Sequence, residues 1–339
     1  PDVLIVVGYS VSALGKEAFR WTEGGGIEAL GDLPGGDFKS RAIDSCIGGS
    51  VIVGNSYISD DSKEAVRWTA LGIEGLGDLP GGDHHSSMSG VSADGLILAC
   101  TVDTGNNEAV RWTESGGFEH LGTMSGGSFS QSFGMSTDGA VVVGQGNHVT
   151  TSRDEAFRWT QQTGMVALGD LAGGAVWSVA YGVSGTGSVV VGRSESGLGL
   201  EAFRWTLTDS ATGEGIMASL GDLPGGAFES NALATSGDGT AVYGWGTSAS
   251  GREAVAWDAG GNIRLVKDLL VDDHGLDLTG WTLSEVRDVS DDGLTIVGYG
   301  TNPNGDQEAW RAVLPEPASL FLLALGGLVF VRRRSTSPG

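Results

Sequence analysis

The sequence predicts an all-β fold, a seven-bladed β-propeller of four-stranded blades with a repeat of about 46 residues, followed by a short C-terminal hydrophobic helix. Three observations favour the propeller. A Glu-Ala-x-Arg-Trp motif recurs along the chain, Asp-Gly and Pro-Gly-Gly turn signals separate short apolar runs, and residues 1–314 show no sustained helical period. The 59 glycines and the charged fraction of only 18% are typical of many tight turns rather than long helices.

The Glu-Ala-x-Arg-Trp motif sets the length of the repeat. Successive copies begin 47, 44, 47, 46, 52 and 55 residues apart, which is close to the length of one four-stranded blade. The copies are Glu17–Trp21, Glu64–Trp68, Glu108–Trp112, Glu155–Trp159 and Glu201–Trp205, with the variants Glu253–Trp257 and Glu308–Ala312.

The other signals give each repeat four strands, here named a to d. A strand of small residues (a) ends in Ser-x-Asp-Gly, and a β-branched run ending in Gly (b) follows it, as in Ser136–Gly144. The Glu-Ala-x-Arg-Trp strand (c) leads to Leu-Gly-Asp-Leu (d) and Pro-Gly-Gly, as in Leu30–Gly36. Asp-Gly supplies the positive φ of a tight hairpin, and Pro-Gly-Gly lets the chain cross to the next blade. Because its residues are small, we expect strand a to lie innermost.

The constant columns of the repeat are interpreted as structural. One Trp in strand c of six repeats indicates packing between blades rather than a ligand platform. The Arg of strand c is predicted to pair with the Asp of Leu-Gly-Asp-Leu. Strand a carries a Ser six positions before the Ser-x-Asp-Gly serine or its equivalent: Ser40, Ser86, Ser130, Ser178, Ser230 and Ser284.

The strand count is uneven, since strands b and c occur seven times but a and d only six. The expectation is a propeller domain over residues 1–314 whose first blade is truncated at its N-terminus, with a secretory signal and the first strand a missing. An alternative is that a neighbouring copy donates the missing strands and builds a filament.

Composition narrows the function classes. The net charge is −23, and the tail 315–339 contributes +2 through Arg332, Arg333 and Arg334 against Glu316, so residues 1–314 carry −25. Such a field disfavours nucleic acid and anionic lipid as partners. The two cysteines, Cys46 and Cys100, fall in different columns of the repeat, which favours buried thiols over a disulfide. The five histidines show no metal-ligand spacing, so neither a metal nor a cofactor is predicted.

The tail 315–339 has the order of a processed sorting signal. Pro315-Glu316-Pro317 precedes an apolar segment, 318–331, and Arg332-Arg333-Arg334 follows it. The segment is short for a stable spanning helix, although an ordinary membrane anchor is the alternative. Basic residues after it would stay in the cytoplasm and place the propeller outside.

Two family resemblances follow from these motifs. Residues 315–334 resemble a PEP-CTERM sorting tail, which implies a Gram-negative bacterium that makes exopolysaccharide and an exosortase that acts near Pro315–Pro317. Residues 1–312 resemble the extracellular HAF-repeat family, whose unit has a similar aromatic strand and Leu-Gly-x-Leu-x-Gly-Gly turn. Glu stands here where that family's name expects His. Neither resemblance implies an established biochemical activity.

Candidate binding residues are those that depart from the repeat. The positions just before the strand-a serines vary while the framework does not, and they should form a ring near one mouth of the central channel. They are Lys39, His85, Phe129, Trp177, Glu229 and Leu283; His84 lies beside the ring, and Trp245 in a strand b is a second departure.

The preferred hypothesis is a non-enzymatic, exported propeller of the cell surface or exopolysaccharide matrix. Its partners would be an exosortase-type processing enzyme and a glycan or surface-protein ligand, and it would touch the membrane only through its tail. No catalytic residue is assigned, and the oligomeric state is left open. The alternative is a polysaccharide-active hydrolase or lyase, which should carry carboxylates of perturbed pKa at one propeller face.

Overall fold

The computed structural model describes residues 4–35, 38–59, 62–79, 85–148, 153–314 and 329–330. It is a β-propeller in which each blade is a four-stranded antiparallel sheet. Five such blades are present: β4 (Ser40–Ser45), β5 (Ile52–Tyr57), β6 (Lys63–Thr69) and β7 (Gly72–Gly75); β8 (Ser86–Val91), β9 (Ile97–Asp103), β10 (Asn107–Thr113) and β11 (Gly117–His120); β12 (Ser130–Met135), β13 (Val141–Asn147), β14 (Asp154–Thr160) and β15 (Gly164–Ala167); β16 (Gly173–Val183), β17 (Val189–Ser196), β18 (Leu200–Asp209) and β19 (Glu214–Gly221); β20 (Gly225–Thr235), β21 (Val242–Ser248), β22 (Gly251–Trp257) and β23 (Ile263–Leu265).

Two further sheets contain the ends of the described chain. The first sheet has three strands, β1 (Ile5–Val11), β2 (Lys16–Thr22) and β3 (Gly26–Ala29). The last sheet has β24 (Thr282–Val289), β25 (Thr295–Thr301) and β26 (Gln307–Val313), which pairs with a two-residue strand, β27 (Val329–Phe330). The Arg311 guanidinium lies 4.8 Å from the centre of the Trp21 ring, so the first and last sheets are neighbours in the ring.

The prediction of seven four-stranded blades is therefore wrong: among the described residues five blades have four strands of at least three residues, the first sheet has three strands, and the fourth strand of the last sheet has only two residues. The first sheet has no strand a among the described residues. In the last repeat, Val-Leu-Pro-Glu-Pro directly follows the Glu-Ala-Trp-Arg-Ala motif, where the other repeats have the hairpin to the fourth strand. The predicted position of strand d is also wrong: the fourth strand precedes the Leu-Gly-Asp-Leu motif, as β7 (Gly72–Gly75) precedes Leu76–Leu79, and the motif itself is the turn to the next blade. The degenerate copy at 266–269 is helical, since α1 (Val266–Asp268) continues into a π-helical turn, Leu269–Asp273.

The predicted C-terminal hydrophobic helix is wrong as well. Residues 329 and 330 of the segment 318–331 are the strand β27, and the remainder of the segment lies outside the described residues. Within the described ranges, no helix is long and apolar enough to cross a membrane.

Strand a is the innermost strand, as the small residues predicted. The successive a strands β4, β8, β12, β16, β20 and β24 contact one another around the axis. In the blades whose strand b has the Val-Val-Gly pattern, strand a passes so close to strand b that the last residue of this run must be glycine; the blade β8–β11 has Cys100 at the same position. A Cβ at Gly144, for example, would lie 1.8 Å from the Gln131 carbonyl oxygen.

The strand-a serines join neighbouring sheets. Each of Ser40, Ser86, Ser130, Ser178 and Ser230 is fully or almost fully buried. Each hydroxyl accepts a hydrogen bond from the alanine N–H of the preceding Glu-Ala-x-Arg-Trp strand, at 2.9–3.0 Å. The same hydroxyl donates to the glycine carbonyl of the preceding Leu-Gly-Asp turn, at 2.6–3.0 Å. We call this arrangement the serine clasp; it satisfies one donor and one acceptor that the sheet edges would otherwise leave buried and unpaired.

The joint before β24 is built differently. The two-bond clasp is replaced by Glu285 of β24, which is completely buried and forms ion pairs with Arg252 of β22 and with Arg287. The chain between β23 and β24 adds a local core, with Val266, Leu270 and Leu278 almost fully buried. The irregular last repeat is thus held by an ion pair and extra apolar packing.

The Ser-x-Asp-Gly turns behave as predicted and close one end of the channel. The Ser136 hydroxyl donates to Asp138 at 2.7 Å, and Gly139 has a φ of +70°. Backbone hydrogen bonds link these turns from blade to blade, from Ala93 N to Thr137 O at 2.8 Å and from Gly237 N to Asp291 O at 2.9 Å. Because these turns touch their neighbours, we call this end the narrow mouth and the opposite end the wide mouth.

The tryptophan column packs between blades, as predicted: Trp21, Trp68, Trp159, Trp205 and Trp257 are each at most 6% exposed. The arginine column differs from the prediction. Arg67 and Arg111 pair with Glu74 of β7 and Glu119 of β11 instead of the Asp column. Each guanidinium also stacks on the tryptophan of the next blade, Trp112 or Trp159. Each of these arginines therefore links its blade to the next one by stacking on that blade's tryptophan ring.

The serine clasp gives a stability prediction. Replacing Ser178 with alanine should lower the free energy of unfolding by about 1–3 kcal/mol, because it leaves a buried N–H and a buried carbonyl unpaired. Ser210→Ala, at an exposed position between β18 and β19, should change it by less than about 0.5 kcal/mol. Urea unfolding followed by tryptophan fluorescence measures both values; equal effects of the two changes would show that the clasp adds no stability.

Candidate functional site

The predicted ring residues lie at the wide mouth. The strand-a serines share one register through their clasps, so the residues just before them share the wide end of the inner strands. Lys39, His85, Phe129, Trp177 and Glu229 are all partly exposed there. Leu283 does not belong to the ring, because it is 3% exposed and packs in the apolar core around Leu270. His84 lies outside the described residues.

Aromatic and cationic side chains of the wide mouth contact each other. The Lys39 ammonium group lies 3.7 Å from the centre of the Tyr57 ring, and the Arg193 guanidinium lies 5.3 Å from that of Trp177. Trp245, the second predicted departure, is 6% exposed because Arg252 covers its ring at 3.9 Å. A ligand could reach Trp245 only through that arginine.

A pocket of about 460 Å³ opens at the wide mouth between the blades β8–β11 and β12–β15. Phe129 is the residue of the predicted ring that lines this pocket. The pocket's other lining residues are almost all polar: Asp103, Gly105, Asn106, Asn107, Gln131, Gln145 and Asp154. One aromatic side surrounded by amides and carboxylates can hold a small polar molecule that has both hydroxyl groups and an apolar face.

The strands position these side chains. Gln131 of β12 and Gln145 of β13 are directly paired across the sheet, as are Asp103 of β9 and Asn107 of β10. The Gln145 amide donates to the Ser178 carbonyl at 3.3 Å, so part of its side chain is tied to the next blade.

Asn147 positions Phe129. Its side-chain oxygen accepts hydrogen bonds from the N–H groups of Ser128 and Phe129 at 2.7 and 3.1 Å, and its amide donates to the Ser128 hydroxyl at 3.0 Å. The approach to β12 is thereby fixed, and Phe129 is presented to the pocket. Asn147 is a positioning residue, since it is not among the residues that line the pocket.

The ring prediction missed Gln131 and Gln145. They occupy the positions after the strand-a serine and after the strand-b glycine, and both columns vary from blade to blade. Around the ring the second column reads Tyr9, Asn55, Thr101, Gln145, Arg193, Trp245 and Tyr299. This variation was visible in the sequence, but only the structure shows that the two columns meet at the wide mouth.

Two carboxylates of the inner strands have raised pKa values. Burial raises the pKa of Asp44 to about 6, although the N–H groups of Val91 and Ser45 donate to it, and Asp291 adds to the rise. Burial also raises the pKa of Asp288 to about 7, helped by the negative charges of Asp44 and Asp291. Asp288 is exposed on an innermost strand, so it faces water inside a narrow channel while protein surrounds it. Neither residue lines the pocket.

In the part of the chain that the structure describes, no group of three or more His, Cys, Asp or Glu side chains lies close enough together to hold a metal ion. Cys46 and Cys100 are buried free thiols, and burial raises the pKa of Cys100 well above its usual range.

Comparison with known proteins identifies the tail and the fold. The model of the PEP-CTERM protein-sorting motif matches residues 313–335. No family evidence supports the HAF-repeat resemblance, and no curated protein matches the sequence. PEP-CTERM signals are exosortase substrates, and the tail implies export through a sorting system.

Solved structures with the same fold are distant in sequence. The β-propeller domain of the Trilobed protease from Pyrococcus furiosus, described as having an open velcro topology, has a TM-score of 0.56 at 10% identity, over 95% of each chain. A puromycin-hydrolysing peptidase of Mycobacterium tuberculosis has a TM-score of 0.55 at 14% identity, over 98% of this chain and 52% of the peptidase. TolB from Acinetobacter baumannii has a TM-score of 0.50 at 14% identity, over 76% of this chain and 62% of TolB. At these identities the likeness shows the β-propeller fold alone.

The channel carboxylates predict a pH dependence of stability. A carboxyl whose pKa is raised on folding holds its proton more tightly in the folded state, so stability falls as the pH rises from about 4 to about 7. Asp288→Asn should flatten this fall and raise the unfolding midpoint at neutral pH. Thermal unfolding between pH 4 and pH 8 measures the effect, with Asp272→Asn, at an exposed position outside the channel, as the control. An unchanged pH profile in Asp288→Asn would contradict the raised pKa.

Proposed function

We propose that the chain is a non-enzymatic, exported β-propeller that binds a glycan at the wide-mouth pocket and acts at the cell surface or in the exopolysaccharide matrix. The observation that carries this proposal is the lining of the pocket. Phe129 offers an aromatic face, and Asn107, Gln131 and Gln145 offer both hydrogen-bond donors and acceptors. Sugars present the matching combination of an apolar ring face and hydroxyl groups.

The sorting motif supports the cellular part of the proposal. We propose that an exosortase-type enzyme acts near Pro315–Pro317, and that Arg332, Arg333 and Arg334 hold the end of the segment 318–331 on the cytoplasmic side of the inner membrane before processing. Pro315–Pro317 and Arg332–Arg334 lie outside the described part of the structure. The outer surface of a Gram-negative cell or its matrix would be the destination.

We also propose that the repeats of this chain share an ancestor with the HAF repeats. This proposal is supported by the Glu-Ala-x-Arg-Trp strand and the Leu-Gly-Asp-Leu-Pro-Gly-Gly turn. In the structure these motifs build the tryptophan packing and the carbonyl side of the serine clasp, so a shared origin would show in the scaffold and not in the pocket.

A polysaccharide-active hydrolase or lyase is the second candidate, and the pair Asp44 and Asp288 favours it. Two carboxylates, at least one of which is protonated near neutral pH, are what general acid–base cleavage of a glycosidic bond requires. They lie on the innermost strands, away from the pocket. Release of reducing ends from a panel of polysaccharides tests this candidate, and turnover lost in both Asp44→Asn and Asp288→Asn would establish it.

The pocket gives a binding prediction. On a glycan array, the full chain should bind a defined set of glycans, and Phe129→Ala should weaken that binding about tenfold or more, since it removes one aromatic contact face. Phe133→Ala is the matched control, because Phe133 lies four residues further on, in β12, where its ring centre is 5.8 Å from that of Tyr181, and it is absent from the pocket lining. Binding that both changes weaken equally, or no binding at all, would contradict a glycan pocket.

The sorting proposal has its own prediction. Mass spectrometry of the protein recovered from outside a host that has an exosortase should show the loss of residues 318–339, and a host without that enzyme should not release this shortened form. An intact C-terminus on the exported protein would contradict processing at this site.

A further inference from the structure

The wide mouth holds a second group of side chains besides the pocket. Six cationic side chains lie over aromatic rings there, with 3.7–5.7 Å between the charged group and the ring centre. The pairs are Lys16 and Arg41 on Tyr9, Lys39 on Tyr57, Arg193 on Trp177, Arg252 on Trp245, and Arg287 on Tyr299. We call these residues the cationic arc. They are distinct from the repeat arginines, which stack on the tryptophan column.

The register of the repeat places the arc on one side of the wide mouth. Its members belong to the blades β16–β19, β20–β23 and β4–β7 and to the first and last sheets. The contact between Arg311 and Trp21 makes the first and last sheets neighbours, so these five sheets are consecutive around the ring. The pocket lies on the remaining side, between the blades β8–β11 and β12–β15. The wide mouth is therefore divided into a side where six cations lie over aromatic rings, with Glu229 partly exposed among them, and a side that holds an acidic, amide-lined pocket.

The arc is unusual in a chain as acidic as this one. Arg41 and Arg193 form no ion pair among the described residues, and the Nε atom of each is buried without a hydrogen-bond partner. Arg252 and Arg287 share a single carboxylate, that of Glu285, so this trio keeps one net positive charge. Aspartate and glutamate outnumber lysine and arginine by 42 to 19 in this chain, so carboxylate partners are plentiful. The arc cations nevertheless lie over aromatic rings. This arrangement favours a ligand that supplies the negative charge.

We propose that the cationic arc binds an acidic polysaccharide, with uronate carboxylates on the arc cations and sugar rings against aromatic faces such as Tyr9, which is 48% exposed. The inference rests on the proposed function only for the general class of ligand, an extracellular polysaccharide, and it uses none of the pocket residues. Nucleic acid fits less well, because its charge density of about one phosphate per 1.7 Å meets stronger repulsion from the rest of this acidic chain. A polyuronate carries only one charge per sugar.

Titration of the full chain with oligogalacturonate tests the proposal. The double variant Arg41→Gln and Arg193→Gln should weaken binding by about tenfold for each arginine removed. Arg264→Gln is the matched control, because Arg264 is equally charged and partly exposed but pairs with Asp273 beside α1. The control should bind within about twofold of the unchanged chain, a difference small on the scale on which a tenfold change is 1.4 kcal/mol.

Further measurements distinguish binding at the cationic arc from binding at the pocket and from a loss of folding. Phe129→Ala should leave oligogalacturonate binding unchanged, so a failure of the pocket and a failure of the arc are distinguishable. If the double variant has a lowered melting temperature, Tyr9→Ala, at an exposed ring, replaces it and should weaken binding in the same direction. No binding of oligogalacturonate, equal binding by the double variant and the control, or equally strong binding of uncharged dextran or of single-stranded DNA would each overturn the proposal.

Discussion

The serine clasp is the contact on which the regular part of this propeller depends. The β-sheet ladder of a blade largely ends at its edge and only a few backbone hydrogen bonds cross to the next blade, so neighbouring blades are joined mainly by side chains and packing. The buried hydroxyl solves this with one donor and one acceptor bond to two different elements of the preceding sheet. It also sets the height of each inner strand along the axis. The shared register of the wide mouth, and with it the pocket and the cationic arc, follows from these clasps.

Other constants of the repeat serve the same geometry. The glycine that ends strand b lets the inner strand pass at a distance that a Cβ would block, as at Gly144. The tryptophan column fills the space between twisted sheets, and arginines of the arginine column stack on the tryptophan of the next blade. Where the clasp is lost, before β24, the ion pairs of Glu285 and the added core around Leu270 take over. A departure from the repeat in one element is thus matched by a compensating change in its neighbours.

The sequence allowed the all-β propeller, the hairpin turns and the innermost strand to be predicted, because each rests on local chemistry repeated many times. The number of complete blades could not be counted from motif copies. A copy of a strand signal does not guarantee a strand, as the helical residues 266–268 show, and completeness depends on pairing partners distant in sequence. The prediction pairs the arginine column with the wrong acid for a similar reason: Asp78 and Glu74 are both near Arg67 in sequence, and the register of β6 and β7 places Glu74 directly opposite Arg67.

The candidate site was predicted only in part because the residues that line it lie in more than one column of the repeat. The column before the serine predicts Phe129, but of the column that holds Gln145, Tyr9 and Tyr299 only Trp245 was selected, and no candidate was taken from the column of Gln131. Leu283 shows the reverse error, a variable residue that serves packing. In a repeat fold, a column becomes functional where its side chains emerge from between the blades. At the wide mouth the columns after the serine and after the strand-b glycine emerge together, which lets one rigid scaffold present opposite charges on two sides of a single opening.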